Sequence, residues 1–277
     1  MKGAIETANR VTTVSPTYAE EILDPWFSHK MDTILRERSW KLSGILNGID
    51  TESYNPETDK DIYANYSVQD MSGKAVNKLE LQKRLNLAET PDVPLIGMVT
   101  RMVAHKGLDL VKETLDQLMW ESNIQFVILG SGDYEYETFF REMQNKYPGR
   151  LCACFGFVPE LSRKIYAGAD IFLMPSKSEP CGLSQMIALR YGTIPVVRAT
   201  GGLKDSITDS GDGEGNGFTF QSYNGGDKLY AIHRALEGYA QQDGWKILVD
   251  RAMKSDNSWG RSANEYIRLY RELLKAD

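Results

Sequence analysis

The chain has 277 residues, of which 42% are hydrophobic and 25% charged, and its net charge is −6. These values describe a globular chain holding one large domain, or one domain with part of another, and exclude a disordered or low-complexity polypeptide. The acidic balance provides no global basic field for nucleic acid, so any phosphate-bearing ligand needs a local cluster of cations. No apolar run approaches the roughly 18 residues of a membrane span, and no membrane partner is expected. Met1 to Glu6 lacks the apolar core of a signal peptide, and no transit peptide is visible. Cys152, Cys154 and Cys181 cannot all pair within one chain. Cys152 and Cys154 fall on one face of an expected strand, where a disulfide is not expected, so a reduced cytosolic thiol state fits.

In chain order, Arg10–Ser15 reads as a β-branched strand, and Ser15-Pro16-Thr17 opens a short helix through Ile22. Leu42–Leu46 is a short apolar strand before Asn47-Gly48, a turn signal, and a domain boundary is expected near residue 45. Helical periodicity appears over Lys74–Leu87. A regular alternation follows: strands at 95–99, 126–129, 151–157, 171–174, 194–197 and 217–220, with helices at 108–120, 136–146, 161–167 and after Cys181. Three helices close the chain, at 227–239, 244–253 and 262–274. This spacing predicts an α/β fold with a doubly wound parallel, Rossmann-like sheet.

Two turns at the expected carboxyl edge of that sheet carry possible chemistry. Thr100–Gly107 holds Arg101 and Lys106, one able to grip phosphate bidentately and the other a compact charge. Ser176–Ser184 holds Glu179 and then Cys181-Gly182-Leu183-Ser184, which opens a helix whose free N–H groups suit an anion. Either feature alone also fits solvated surface charge or an ordinary tight turn. His105 reads as loop filler and Gly130-Ser131-Gly132 as a turn. His29 and His233 lack metal-type partners at i+3 or i+4, so no metal site is expected.

Longer matches narrow the reading. Arg101-x4-Lys106-Gly107, Ser178-Glu179-Pro180-Cys181-Gly182-Leu183-Ser184-Gln185, Arg190-Tyr191-Gly192-Thr193-x-Pro195 and Thr200-Gly201-Gly202-Leu203 resemble bacterial glycogen synthases and plant starch synthases. So do Val11–Ile22, Leu46-Asn47-Gly48-Ile49-Asp50 and the ending from Ser258-Trp259 to Tyr270, so the resemblance covers essentially the whole chain.

The resemblance implies the C-terminal domain of a GT-B glycosyltransferase. Its reaction would transfer glucose from ADP-glucose to the non-reducing end of an α-1,4-glucan with retention and without metal or cofactor, in the cytoplasm or, for a plant protein, a plastid. Carried over by position, Arg101 and Lys106 would neutralise the departing diphosphate, and Glu179 would face the donor sugar. Asn47, Cys181, Gly182, Leu183, Ser184, Thr200, Gly201 and Gly202 would complete the donor site, with backbone N–H groups at 182–184 on the phosphates. Phe157 falls where the family stacks adenine, although its composition equally suits a strand core. Ile187 stands eight residues after Glu179, where related transferases often carry a second glutamate, so a front-face mechanism with phosphate as base is implied. The family's Lys-x-Gly-Gly-Leu motif and first-domain histidine have no match. Residues 1–44 would be the end of that first domain, 45–255 the nucleotide-sugar domain, and 256–277 a helix crossing back. The missing first domain would be required for a full cleft, so this chain alone is expected to be inactive. The alternatives are a non-catalytic nucleotide-sugar-binding module or a transferase of the same fold using another sugar nucleotide.

Overall fold

The computed structural model describes residues 1–275. The first segment contains α1 (Lys2–Thr7), β1 (Val11–Thr13), α2 (Pro16–Glu21), α3 (Asp32–Glu37) and β2 (Leu42–Gly44). Helix α2 starts where the sequence predicts, because the Ser15 hydroxyl accepts from Tyr18 N at 2.9 Å and Pro16 occupies the first turn. Helices α1 and α3 were not predicted. Each has only six residues and is held by packing around a small apolar cluster of Ile5, Ile22, Ile34 and Leu35. Strands β1 and β2 pair in parallel as a separate two-stranded sheet.

The main body follows as α4 (Ser72–Arg84), β3 (Leu95–Val99), α5 (Leu108–Glu121), β4 (Gln125–Gly130), α6 (Tyr134–Lys146) and β5 (Leu151–Phe155). Then come α7 (Pro159–Gly168), β6 (Ile171–Met174), α8 (Ser184–Arg190), β7 (Ile194–Arg198), α9 (Gly201–Ser206) and β8 (Phe218–Phe220). Helices α10 (Gly225–Ala240), α11 (Gln242–Met253) and α12 (Trp259–Leu273) end the chain. Strands β3 to β8 form one parallel sheet in the order β5-β4-β3-β6-β7-β8. Their nearly continuous apolar sequences suit a sheet covered on both faces. One face builds the larger core, including Phe126, Phe140, Phe172 and Tyr191; the other packs Val127 and Leu129 under Leu81, Leu161 and Ile165.

Helix α12 is tied down at its start, where the Ser262 hydroxyl donates to Leu46 O and Ile49 N to Asn257 O. Farther along, Ile267 and Tyr270 are exposed, so this helix leaves much of its apolar stripe uncovered.

Lys228 is a cost inside this framework. It lies in the first turn of α10, is 1% exposed, and gives Nζ to the Leu110 carbonyl at 2.6 Å. Burial outweighs the attraction of Glu113 and Asp109 and lowers its pKa from 10.5 to about 7. Between those values the unfolded chain binds the extra proton, so this group makes stability rise with pH there and leaves it lowest below about pH 7. Lys228→Met, similar in length and uncharged, is expected to raise stability at pH 7 by about 1–3 kcal/mol and to flatten that rise. Urea unfolding of both proteins near pH 7 and near pH 10 measures it, and an unchanged pH slope in the variant would show that other groups set it.

Candidate active site

The strand order fixes where a site can form. From β3 the chain works outward through β4 to β5, then returns to β6 beside β3 and works outward the other way. The loops leaving the carboxyl ends of β3 and β6 therefore diverge and open a crevice between them. The first loop carries Arg101, His105 and Lys106, and the second Ser176 and Glu179.

Those loops touch because Gly107 allows it. Its φ is +76°, and a Cβ there would sit 2.0 Å from the Pro175 carbonyl oxygen. The result is an ion pair between Lys106 Nζ and Glu179 Oε2 at 2.6 Å, with side-chain exposures of 17% and 8%. A pair so removed from water persists only with good geometry and further hydrogen bonds. Ser176 Oγ supplies one, donating to the same Oε2 at 3.0 Å. Both contacts fall on one oxygen, which leaves Oε1 for another partner.

A second layer braces Glu179 from behind. Gly202 N donates to the Glu179 carbonyl at 3.0 Å. A Cβ on Gly201 would lie 2.1 Å from that carbonyl oxygen, and one on Gly202 would lie 2.0 Å from the Cys181 carbonyl oxygen, so only glycines let α9 approach. The Glu21 carboxylate, from α2, accepts from Thr200 Oγ1 at 2.8 Å and Gly201 N at 3.0 Å, while Thr17 N donates to Asp205 at 3.0 Å. Arg198, at the end of β7, donates to the Lys177 carbonyl at 2.7 Å and so fixes the loop just before Glu179. The family resemblance places Thr200, Gly201 and Gly202 in the donor site. The structure buries all three, and Glu21 accepts from the Thr200 hydroxyl and Gly201 N–H, so this turn also supports the Glu179 loop.

The remaining sequence candidates line the crevice in different ways. Arg101 is exposed, with a guanidinium nitrogen 3.5 Å from His105 Nε2. The His105 pKa is lowered, first by partial burial and then by Lys106 and Arg101. Cys181 is buried, and its thiol is pushed up chiefly by that burial, with the backbone of Asn47 opposing the rise. Gly182 and the exposed Leu183 lead into α8 at Ser184, whose first N–H groups have no partners within the helix. Strand β5 ends at Phe155, two residues short of the predicted end, and Gly156 at φ +119° turns the chain out. Phe157 is consequently 92% exposed, which overturns its reading as a core residue. It lines a mainly apolar cavity of about 430 Å³ with Val99, Arg101, Leu129 and Val158.

Ser176, Arg198 and Glu21 were not singled out from sequence. Ser176, three residues before Glu179, was the most findable. Glu21 is one of the matched positions in Val11–Ile22, but nothing in the sequence points to its partners, which lie about 180 residues away. Together the crevice offers an apolar slot, a cationic lip, a helix start and one preorganised carboxylate. That set suits a molecule with a flat apolar ring, a diphosphate and a polyhydroxylated group.

Comparison with known proteins gives consistent relatives. The family model for starch synthase catalytic domains matches residues 1–37, and that for glycosyl transferases group 1 matches residues 80–246. The chain is 52% identical over 279 residues to a glycogen synthase of Geobacillus thermodenitrificans, covering 100% of this chain and 57% of that protein. A glycogen synthase of Thermosipho africanus is 50% identical, with 99% of this chain and 57% of the relative covered. Among solved structures, the catalytic domain of starch synthase IV from Arabidopsis thaliana, bound to ADP and acarbose, superposes with a TM-score of 0.91 at 40% identity. That match covers 98% of this chain and 57% of the other. A sucrose-phosphate synthase from Thermosynechococcus elongatus, 21% identical with a TM-score of 0.65 over 100% of this chain and 61% of that one, shares the fold. The chain thus spans a little over half the length of the curated relatives it matches. With the group 1 model matched across the sheet, its crevice and the helices around them, the chain belongs to the group 1 glycosyl transferases.

Proposed function

We propose that this chain is the donor-binding half of an α-glucan synthase that transfers glucose from ADP-glucose to the non-reducing end of an α-1,4-glucan with retention. The observation that carries the reading is the Lys106–Glu179 pair at the switch point of the sheet, fixed by Ser176. It is supported by 50–52% identity to glycogen synthases along the chain and by the close likeness to a starch synthase solved with ADP. The acceptor wall of the cleft would come from sequence outside this chain.

In this reading the adenine enters the apolar cavity against Phe157. The diphosphate lies between the Arg101 and Lys106 cations and the N–H groups of Gly182, Leu183 and Ser184, where negative charge grows as the glycosidic bond to phosphate breaks. Glu179, with Oε1 unused by Lys106 and Ser176, bonds a sugar hydroxyl and stabilises positive charge developing at the anomeric carbon. Lys106 already neutralises part of the Glu179 charge, so both groups enter the reaction oriented rather than searching for position. Ile187, buried eight residues after Glu179, supplies no second carboxylate. The departing phosphate therefore takes the proton of the acceptor hydroxyl on the same face, which accounts for retention. Neither metal nor cofactor takes part. The cytoplasm is the expected setting.

In the full-length protein, Lys106→Ala and Glu179→Ala should each lower turnover by about two or more orders of magnitude, measured as radiolabelled glucose entering glycogen. Near-normal turnover in either variant removes that residue from the catalytic set. Calorimetry on this chain should detect ADP more tightly than UDP; tighter UDP binding would favour another sugar nucleotide, and no ADP binding at millimolar concentration would overturn the donor site. Incorporation of glucose by this chain alone would overturn the need for a second wall.

A diphosphate beside His105 would oppose the effect of the two cations and raise its pKa. ADP affinity should accordingly increase as pH falls through the range between the free and bound values. Calorimetry in buffers of different ionisation enthalpy should show proton uptake on binding, lost in His105→Gln.

A further inference from the structure

Away from the crevice, Cys152 and Cys154 place their sulfurs 3.8 Å apart on β5, one of the two edge strands of the sheet. Both are half-buried free thiols on the face that packs towards α4 and α7. The two thiols differ in acidity. Cys152 is pushed up, first by its bond to Cys154 and then by burial, whereas Cys154 is lowered by that bond, with the Arg84 guanidinium adding attraction. Cys154 is the better nucleophile of the two, with a second thiol held beside it.

A direct disulfide does not suit this geometry. Same-face Cβ atoms two residues apart on a strand are separated by roughly 6.6 Å, whereas a disulfide needs about 3.5–4.5 Å. An inserted atom that bonds both sulfurs removes the conflict and leaves the β4–β5 ladder intact. Among the described residues no group of three or more His, Cys, Asp or Glu side chains could hold a metal ion, so the two sulfurs lack the further ligands of a four-coordinate cation. They satisfy a three-coordinate centre that already carries one bond.

We propose that Cys152 and Cys154 form a chelating dithiol site for trivalent, monosubstituted arsenicals and chemically similar thiophilic metalloids. With an aryl arsine oxide the step is balanced. The Cys154 thiolate attacks arsenic, the Cys152 thiol closes the second As–S bond, and the two thiol protons leave with the arsenic-bound oxygen as one water. Arsenic stays trivalent and sulfur is not oxidised.

Intact-mass spectrometry after treatment of this chain with one equivalent of phenylarsine oxide tests the site. The expected product carries one phenylarsenic bridge with two hydrogens lost, resists excess monothiol, and is released by 2,3-dimercaptopropanol. Cys152→Ser and Cys154→Ser should each abolish the monothiol-resistant adduct, while Cys181→Ser should retain it. Because the wild-type chain is read directly, the outcome does not depend on the variants folding. No resistant adduct on wild type, or one that survives in the Cys152→Ser, Cys154→Ser double variant, would overturn the assignment.

Discussion

A lysine and a glutamate held 2.6 Å apart across the switch point of a parallel sheet are the constraint on which the site depends. Their loops leave adjacent strands that belong to oppositely wound halves, so topology brings them together and glycine lets them close. Partial burial raises the cost of leaving either charge unpaired and narrows the arrangements the crevice can adopt. Ser176 then selects one rotamer of the carboxylate, because a hydroxyl and an ammonium converge on the same oxygen.

The bracing behind that pair is made largely of backbone. Gly202 N and the close approach of Gly201 hold the Glu179 peptide, and Arg198 clasps the peptide of Lys177. A loop held through its carbonyls keeps its side chains free for a ligand. This is one reason a long irregular segment, Pro175 to Leu183, can present a carboxylate with little latitude. The opposite lip is built differently, with an exposed arginine and an almost fully exposed phenylalanine over an open apolar cavity.

Much of this was legible in the residues. Apolar strands alternating with amphipathic helices imply the doubly wound sheet, and Arg101, Lys106 and Glu179 stand out because each follows such a strand closely. Phe157 was ambiguous, since Phe-Gly-Phe-Val reads equally well as strand core; the backbone turn at Gly156 decides it. Thr200-Gly201-Gly202 has the look of an anion-binding turn, and only three-dimensional contact shows that a carboxylate of the chain already occupies it. Glu21 belongs to a matched stretch, but its bracing role was not legible because an acid near the end of a short helix is ordinarily solvated. Helices α1 and α3 fell below the length at which local periodicity informs, their order coming from tertiary packing.

The grip of Glu21 has a consequence for how the molecule loosens. Helices α1, α2 and α3 have six residues each, pair with only a three-residue parallel ribbon, and share a core far smaller than that of the main sheet. Within this chain, so few buried apolar contacts are the feature that lowers the cost of local opening relative to the sheet. When it opens, α9 loses a carboxylate from its first turn while β3 to β8 keep their hydrogen-bonded ladder. Amide exchange at Gly201 would then report the breathing of a helix about 180 residues upstream, and the Glu179 loop would gain freedom in a molecule that is still, by most spectroscopic measures, folded.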